Sequence, residues 1–214
     1  MGLGAAPRLV AITDTDVAPA GELVARLRRL ATSAVPGSVA LLLRDHGLSG
    51  KARLELGLAL RDVAREHQQS LWVADRLDLA LLLDAAGLHL GEASVSARAA
   101  RRLLPEAASI SRAWHATLLD DAALSELSAV DALLVSPVLA PRKGRPALGL
   151  SALGVLGEQL RARNQAYPHL YALGGITARD AAACLAAGAT GVAAIGAALA
   201  PDVAPLLDAL AISR

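Results

Sequence analysis

A single (β/α)8 barrel over residues 1–214 is the fold this sequence predicts, on three observations. Apolar runs bounded by Gly, Pro or Asp alternate eight times with segments of helical periodicity, which favours a closed parallel barrel over an open, doubly wound sheet. The length, 214 residues, falls within the range of one such barrel, usually about 250 residues. The apolar residues, 54% of the chain, are mainly Ala, Leu and Val; there is no Phe, and Trp72, Trp114, Tyr167 and Tyr171 are the aromatics. A core built from aliphatic side chains suits strands buried on both faces. No linker or low-complexity tract interrupts the pattern.

The elements follow in order. Arg8–Thr13 is the first strand and Gly21–Ser33 the first helix, with Leu23, Val24, Leu27, Leu30 and Ala31 on one face. Ser38–Leu43 is the second strand. Gly50–Gln68 is an amphipathic helix, and Ser70–Ala74 the third strand. Arg76–Ala86 is a helix, Leu88–Gly91 a short strand, and Ser94–Leu104 a helix that Pro105 ends. Ser109–Ala113 is a strand, Leu118–Leu127 a helix, and Ala132–Ser136 the sixth strand. The long loop Pro137–Gly149 carries Arg142, Lys143 and Arg145 and is a candidate flexible lid. Leu150–Arg163 is a helix, His169–Leu173 the seventh strand, and Thr177–Ala187 a helix opened by a capping pair, Thr177 and Asp180. Gly191–Ile195 is the eighth strand and Val203–Ala211 the last helix, with a candidate short extra helix between Gly196 and Pro201.

Charge and targeting signals exclude several classes. The formal net charge is +1, from 21 basic and 20 acidic residues that are interspersed, so there is no basic footprint for nucleic acid. No apolar run reaches the roughly 18 residues that span a bilayer, and the N-terminus has no basic stretch followed by a long apolar one. These readings predict a soluble, cytoplasmic protein. The apolar content makes a homo-oligomer interface an expectation as well. The single Cys184 lies on a helical segment among alanines and reads as a small core residue.

In such a barrel, chemistry sits at the C-terminal ends of the strands. Strand one delivers Thr13 and Asp14 there; strand two, Arg44 and His46; strand three, Asp75 and Arg76; strand four, Glu92 and Ser94; strand five, Trp114 and His115; strand six, Ser136 and its basic loop. Strands seven and eight end in glycine turns, Gly174–Gly175 and Ile195–Gly196. Two such turns side by side would aim backbone N–H groups at one point and could hold a phosphate without lysine. The alternative is that these glycines only permit close packing. His115 suits proton exchange near neutral pH or, alternatively, caps the next helix. His89 lies within strand four and reads as a packing residue aimed into the barrel, while His67 and His169 read as surface or strand-start residues. Asp75 and Arg76 either pair with each other or with Asp78, and Arg44 suits a phosphate or carboxylate. No metal-ligand spacing, Walker motif, nucleophile elbow or dinucleotide fingerprint occurs.

The order of motifs carries a resemblance. AITD, LLLRDH, ADRLDLALLLDAAGLHLGEAS, RAWHA, SPVLAPRKGRPALGL, ALGGIT and GVAAIG together resemble the thiamine phosphate synthase and TenI superfamily over nearly the whole chain. The resemblance implies the (β/α)8 barrel and a thiazole phosphate held at Gly174, Gly175, Ile195 and Gly196. It also exposes departures. Where the synthases place Gln, Arg and Lys after strand two, this chain has Leu42, Arg44 and His46; where they have Asn–Asp after strand three, it has Ala74 and Asp75. Their second magnesium carboxylate falls at Ser94, and their threonine-rich pyrophosphate loop is shortened to APRKG, with Lys143 matching its lysine.

The pattern that remains, a phosphate cradle with His115, is that of TenI-like thiazole tautomerases. The resemblance thus implies a thiamine-biosynthesis protein that binds thiazole phosphate and isomerises it with His115 as acid–base and no cofactor, Arg44 or Lys143 steadying the substrate carboxylate. One alternative is a divergent thiamine phosphate synthase, in which Asp75 holds magnesium and Lys143 meets pyrophosphate. The other is a non-catalytic thiamine phosphate binder.

Overall fold

The computed structural model describes residues 6–162 and 168–214. Within them, eight strands close into one parallel barrel in sequence order, each followed by a helix. The strands are β1 (Leu9–Ile12), β2 (Val39–Leu43), β3 (Ser70–Ala74), β4 (Gly87–Leu90), β5 (Ser109–Trp114), β6 (Ala132–Val135), β7 (His169–Leu173) and β8 (Gly191–Ala194). The helices are α1 (Ala20–Ser33), α2 (Gly50–Glu66), α3 (Leu77–Leu82), α4 (Ala97–Arg101), α5 (Asp121–Leu127), α6 (Ser151–Ala162), α7 (Ala178–Ala186) and α8 (Ala204–Ala209). All eight strands and helices stand where the alternation predicts them. The end expected for the sixth helix, Arg163, lies outside the described residues.

Several helices are shorter than expected, for local reasons. α3 stops at Leu82 because Asp84 turns the chain into the left-handed region at φ 51°. α4 starts only at Ala97, because the Ser96 side chain caps it by accepting the N–H of Ala99 at 3.2 Å. α7 opens on the expected pair: the Asp180 carboxylate accepts both the N–H of Thr177 at 2.9 Å and its hydroxyl at 2.6 Å. The helix expected between Gly196 and Pro201 is a single turn, in which the N–H of Leu199 donates to the Ile195 carbonyl at 3.0 Å. Six residues ahead of a proline leave room for no more.

Burial on both faces explains the unbroken apolar runs. Outward side chains such as Leu9, Leu41, Val73, Leu133 and Val192 pack against the helices, and inward ones such as Val10, Leu42, Trp72, Leu134 and Tyr171 fill the barrel. Trp72 and Tyr171 meet edge to face, with ring centroids 6.4 Å apart at 82°, and the Tyr171 hydroxyl donates to the Pro7 carbonyl at 2.6 Å. They plug the end of the barrel opposite the strand C-termini. Cys184 is fully buried among the aliphatic side chains, and burial pushes its thiol up to about 11, as a core role requires.

The closing seam, β8 against β1, depends on Gly191. A Cβ there would lie 2.2 Å from the Arg8 carbonyl oxygen, beside the register pair Leu9 and Val192. Neither backbone can give way without opening the ladder. Gly191→Ala is therefore expected to destabilise the protein by about 3 kcal/mol, a fall in melting temperature of about 6–12 °C in a calorimetric scan.

Candidate active site

The strand C-termini surround two adjoining cavities, of about 240 Å³ and about 530 Å³, which share Arg142, Leu173, Gly174 and Ile195 in their walls. The smaller lies over the barrel axis and collects Arg44, His46, Asp75, His89, His115 and Lys143. The larger lies beside the ends of β7 and β8 and is walled by Gly174, Gly175, Ile195 and Gly196. The residues singled out from the sequence thus come together at one mouth.

The two glycine turns are not equivalent. Gly174 and Gly175 stand at φ 102° and 75°, and a Cβ on either would strike the β6 loop, at 2.9 Å from Pro137 Cα and 2.6 Å from Ala140 Cβ respectively. The same segment is stitched down by Val138 N–H to the Leu173 carbonyl at 2.8 Å and Leu139 N–H to the Gly174 carbonyl at 2.9 Å. Close packing is therefore part of their role. Gly196 differs: nothing lies within 4 Å of where its Cβ would be, and it opens on the larger cavity.

Far from being free, the β6 loop is tied at both ends and at its tip. After the cis Ser136–Pro137 bond, Leu148 and Gly149 donate back to Pro137 and Val138 at 2.8 and 2.9 Å. Between them Arg142 and Arg145 exchange backbone hydrogen bonds at 3.1 and 3.0 Å around Lys143 and Gly144, both left-handed, which makes a tight hairpin turn. Arg145 Nη2 then reaches across the mouth to both carboxylate oxygens of Glu92 at 2.8 Å. The expected lid is a strapped hairpin.

Electrostatics divide the mouth into pairs. Arg44 is held by Asp14, Nη2 to Oδ2 at 2.9 Å, while its buried Nε has no partner. Arg76 turns away to Asp78, with Nε to Oδ1 at 2.8 Å, and leaves Asp75 to the cavity. Asp75 is left-handed at φ 61°. Its Oδ1 accepts the N–H of Gly91 at 2.9 Å and the hydroxyl of Ser94, and its Oδ2 faces His46 Nε2 at 3.5 Å. Burial alone would raise its pKa, but the bonds from Ser94 and Gly91 with the nearby histidines bring it below the ordinary carboxylate value.

The histidines are distinct. His89 does aim into the barrel, but it also lines the cavity, with Nδ1 2.9 Å from Ser111 Oγ; burial pushes its pKa down to about 4, so it is neutral near pH 7. His115 Nδ1 lies 2.6 Å from the Ser136 carbonyl oxygen, which can only accept, so the proton belongs on Nδ1 and Nε2 is left as the acceptor. Nε2 lies 4.0 Å from Glu92 Oε1.

The fold has counterparts. A family model described as thiamine monophosphate synthase matches residues 9–198. The chain belongs to that family. It is 38% identical over 194 residues to a thiamine-phosphate synthase from Albidiferax ferrireducens, covering 89% of this chain and 83% of the relative. A thiamine-phosphate synthase from Moorella thermoacetica is 36% identical over 170 residues, 78% of each chain. Among solved structures, a thiamine phosphate pyrophosphorylase from Pyrococcus furiosus superposes with a TM-score of 0.80 at 26% identity, over 95% of both chains. Family membership places the chain in thiamine biosynthesis, with small-molecule substrates. No described helix is long and apolar enough to cross a membrane.

Two residues of this mouth had no assigned role in the sequence reading beyond the rim: Glu92 and Arg145 are 53 positions apart, and no local signal pairs them. A third is Arg53 of α2, buried, with Nη2 donating to the Ala74 carbonyl at 2.6 Å directly before Asp75. Its burial was legible, since it lies three residues before Leu56 on the packed face of α2.

Two outcomes test this geometry. Gly175→Ala should destabilise the fold by about 1–3 kcal/mol, whereas Gly196→Asp should leave the melting temperature nearly unchanged and abolish the binding of a phosphate ligand, read by calorimetry. His89 is neutral when folded and protonates near 6.5 when unfolded, so its contribution to stability is complete above pH 6.5 and is lost as pH falls toward about 4. Denaturant titrations should show stability falling by up to about 1.4 kcal/mol per pH unit across that window. His89→Gln should remove the His89 part of it, leaving that of His46, whose pKa burial also lowers.

Proposed function

We propose that this protein is a thiazole phosphate tautomerase, with His115 as the acid–base group and the substrate phosphate at Gly174, Gly175, Ile195 and Gly196. The observation that carries the reading is His115 itself, whose Nε2 is left as a free base by the Ser136 carbonyl at Nδ1. The reaction needs one proton moved. Nε2 takes the proton from the ring carbon that bears the carboxylate; the C–H electron pair becomes the new ring double bond and the conjugated π pairs shift along the ring. The imidazolium then returns a proton to the exocyclic carbon. Atoms and charge balance, and the product is the aromatic thiazole carboxylate phosphate. Arg44 and Lys143 face the same cavity and suit the carboxylate.

The residues present fit magnesium poorly. Asp75 offers a single carboxylate whose Oδ1 is taken by Gly91 and Ser94, Glu92 is held by Arg145, and Ser94 stands where a second carboxylate would be required. Among the described residues no group of three or more His, Cys, Asp or Glu is placed to hold a metal ion. No step of the proposed reaction passes through one.

The names of the relatives favour a second reading, a divergent thiamine phosphate synthase that joins a pyrimidine pyrophosphate to thiazole phosphate with magnesium. It requires magnesium-dependent pyrophosphate release that Asp75→Ala abolishes. The tautomerase reading expects no such release. It expects instead that His115→Ala binds thiazole carboxylate phosphate within about threefold of the unaltered protein while kcat for aromatisation, followed by ultraviolet absorbance, falls about 10²–10⁴-fold. Full activity in that variant overturns it.

A further inference from the structure

We infer that Glu92 is a positioning residue for His115, held in place by the β6 hairpin; the inference rests on the reading of His115 as the acid–base group. The geometry forms a chain of three contacts. The hairpin fixes Arg145 through its paired backbone bonds to Arg142 and the left-handed turn at Lys143 and Gly144. Arg145 Nη2 lies 2.8 Å from both oxygens of Glu92, which ties the carboxylate to the hairpin. Oε1 then stands 4.0 Å from His115 Nε2, the nitrogen left as an acceptor by the Ser136 carbonyl on the other side of the ring. The Ser136 carbonyl orients the neutral imidazole at Nδ1, and the Glu92 carboxylate becomes an attractive partner only once Nε2 is protonated. When Nε2 carries the migrating proton, the charge that forms on the ring meets a carboxylate already oriented toward it.

Among the described residues no other carboxylate stands within 4.0 Å of Nε2: Asp75 accepts from Ser94 and Gly91 and faces His46, and Asp14 is paired with Arg44. Glu92 itself is more than half exposed, as is usual for an ion pair that adds little to folding stability. Its removal therefore leaves the barrel intact, and the effect is readable in catalysis.

The test combines kinetics with a measurement that needs no turnover. Glu92→Gln is expected to lower kcat for tautomerisation by about 10–100-fold, with KM and the affinity for thiazole carboxylate phosphate within twofold of the unaltered protein. Arg145→Met should lower kcat less, because the carboxylate remains, and the double variant should be no slower than Glu92→Gln alone, since both act along one chain of contacts. In 15N NMR of the histidine side chains, Glu92→Gln should move the Nε2 resonance of His115. An unmoved resonance, or a kcat within twofold of the unaltered protein, overturns the assignment. If the unaltered protein turns over no thiazole substrate, the functional reading falls on that result, and the NMR comparison still decides whether Glu92 acts on His115.

Discussion

The architecture depends on one constraint, that a parallel sheet of eight short strands must close so that no strand edge is left unpaired. The strands have four to six residues each, so each offers only two or three side chains to the interior. The barrel is filled by a few large residues among many small ones: Trp72 and Tyr171 at one end, with Ala40, Ala132 and Ala193 making room for them. Closure at Gly191 brings β8 beside β1 and so completes the ring of C-terminal ends. Every residue with chemistry at the mouth owes its position to that ring.

Within the mouth, the charges are organised as pairs that cross between strands. Asp14 of the β1 end holds Arg44 of the β2 end, Asp75 of the β3 end faces His46 of the β2 end, and Glu92 of the β4 end holds Arg145 of the β6 loop. Each pair fixes a side chain that would otherwise sweep through solvent. The left-handed backbone at Asp75 costs free energy, and the surrounding contacts over-determine it: Arg53 below, at the Ala74 carbonyl, and Ser94 and Gly91 on the carboxylate. Both hydrogen bonds to the carboxylate fall on Oδ1, and Oδ2 faces His46 across the cavity.

The fold was readable from the sequence because two-sided burial makes each strand an unbroken apolar run, and because Gly, Pro and Asp punctuate the runs. Helix ends were less so, since a terminus such as that of α3 is set by one left-handed residue, Asp84, in a stretch whose apolar pattern continues past it. The rim residues Arg44, Asp75, Glu92 and His115 followed directly from the strand ends. Their partners did not follow, because Arg44 with Asp14 and Arg145 with Glu92 are separated by 30 and 53 positions and meet only once the barrel is closed. The β6 loop shows the same limit. Its Pro and Gly content reads as freedom, yet those residues build a hairpin turn and a stitched return.

The two cavities differ in what can vary. One wall is backbone, at Gly174, Gly175 and Gly196, where steric space and left-handed angles leave little choice of residue at the first two positions. A wall of that kind suits an anion held by backbone N–H groups, and side-chain substitution cannot easily retune it. The other wall is made of side chains from β2 to β6, of which the rim residues His46, Glu92 and Lys143 stand clear of the barrel core. Leu42, His46 and Ala74 lie on that second wall, and so does the proposed acid–base group, His115, oriented by the Ser136 carbonyl at Nδ1.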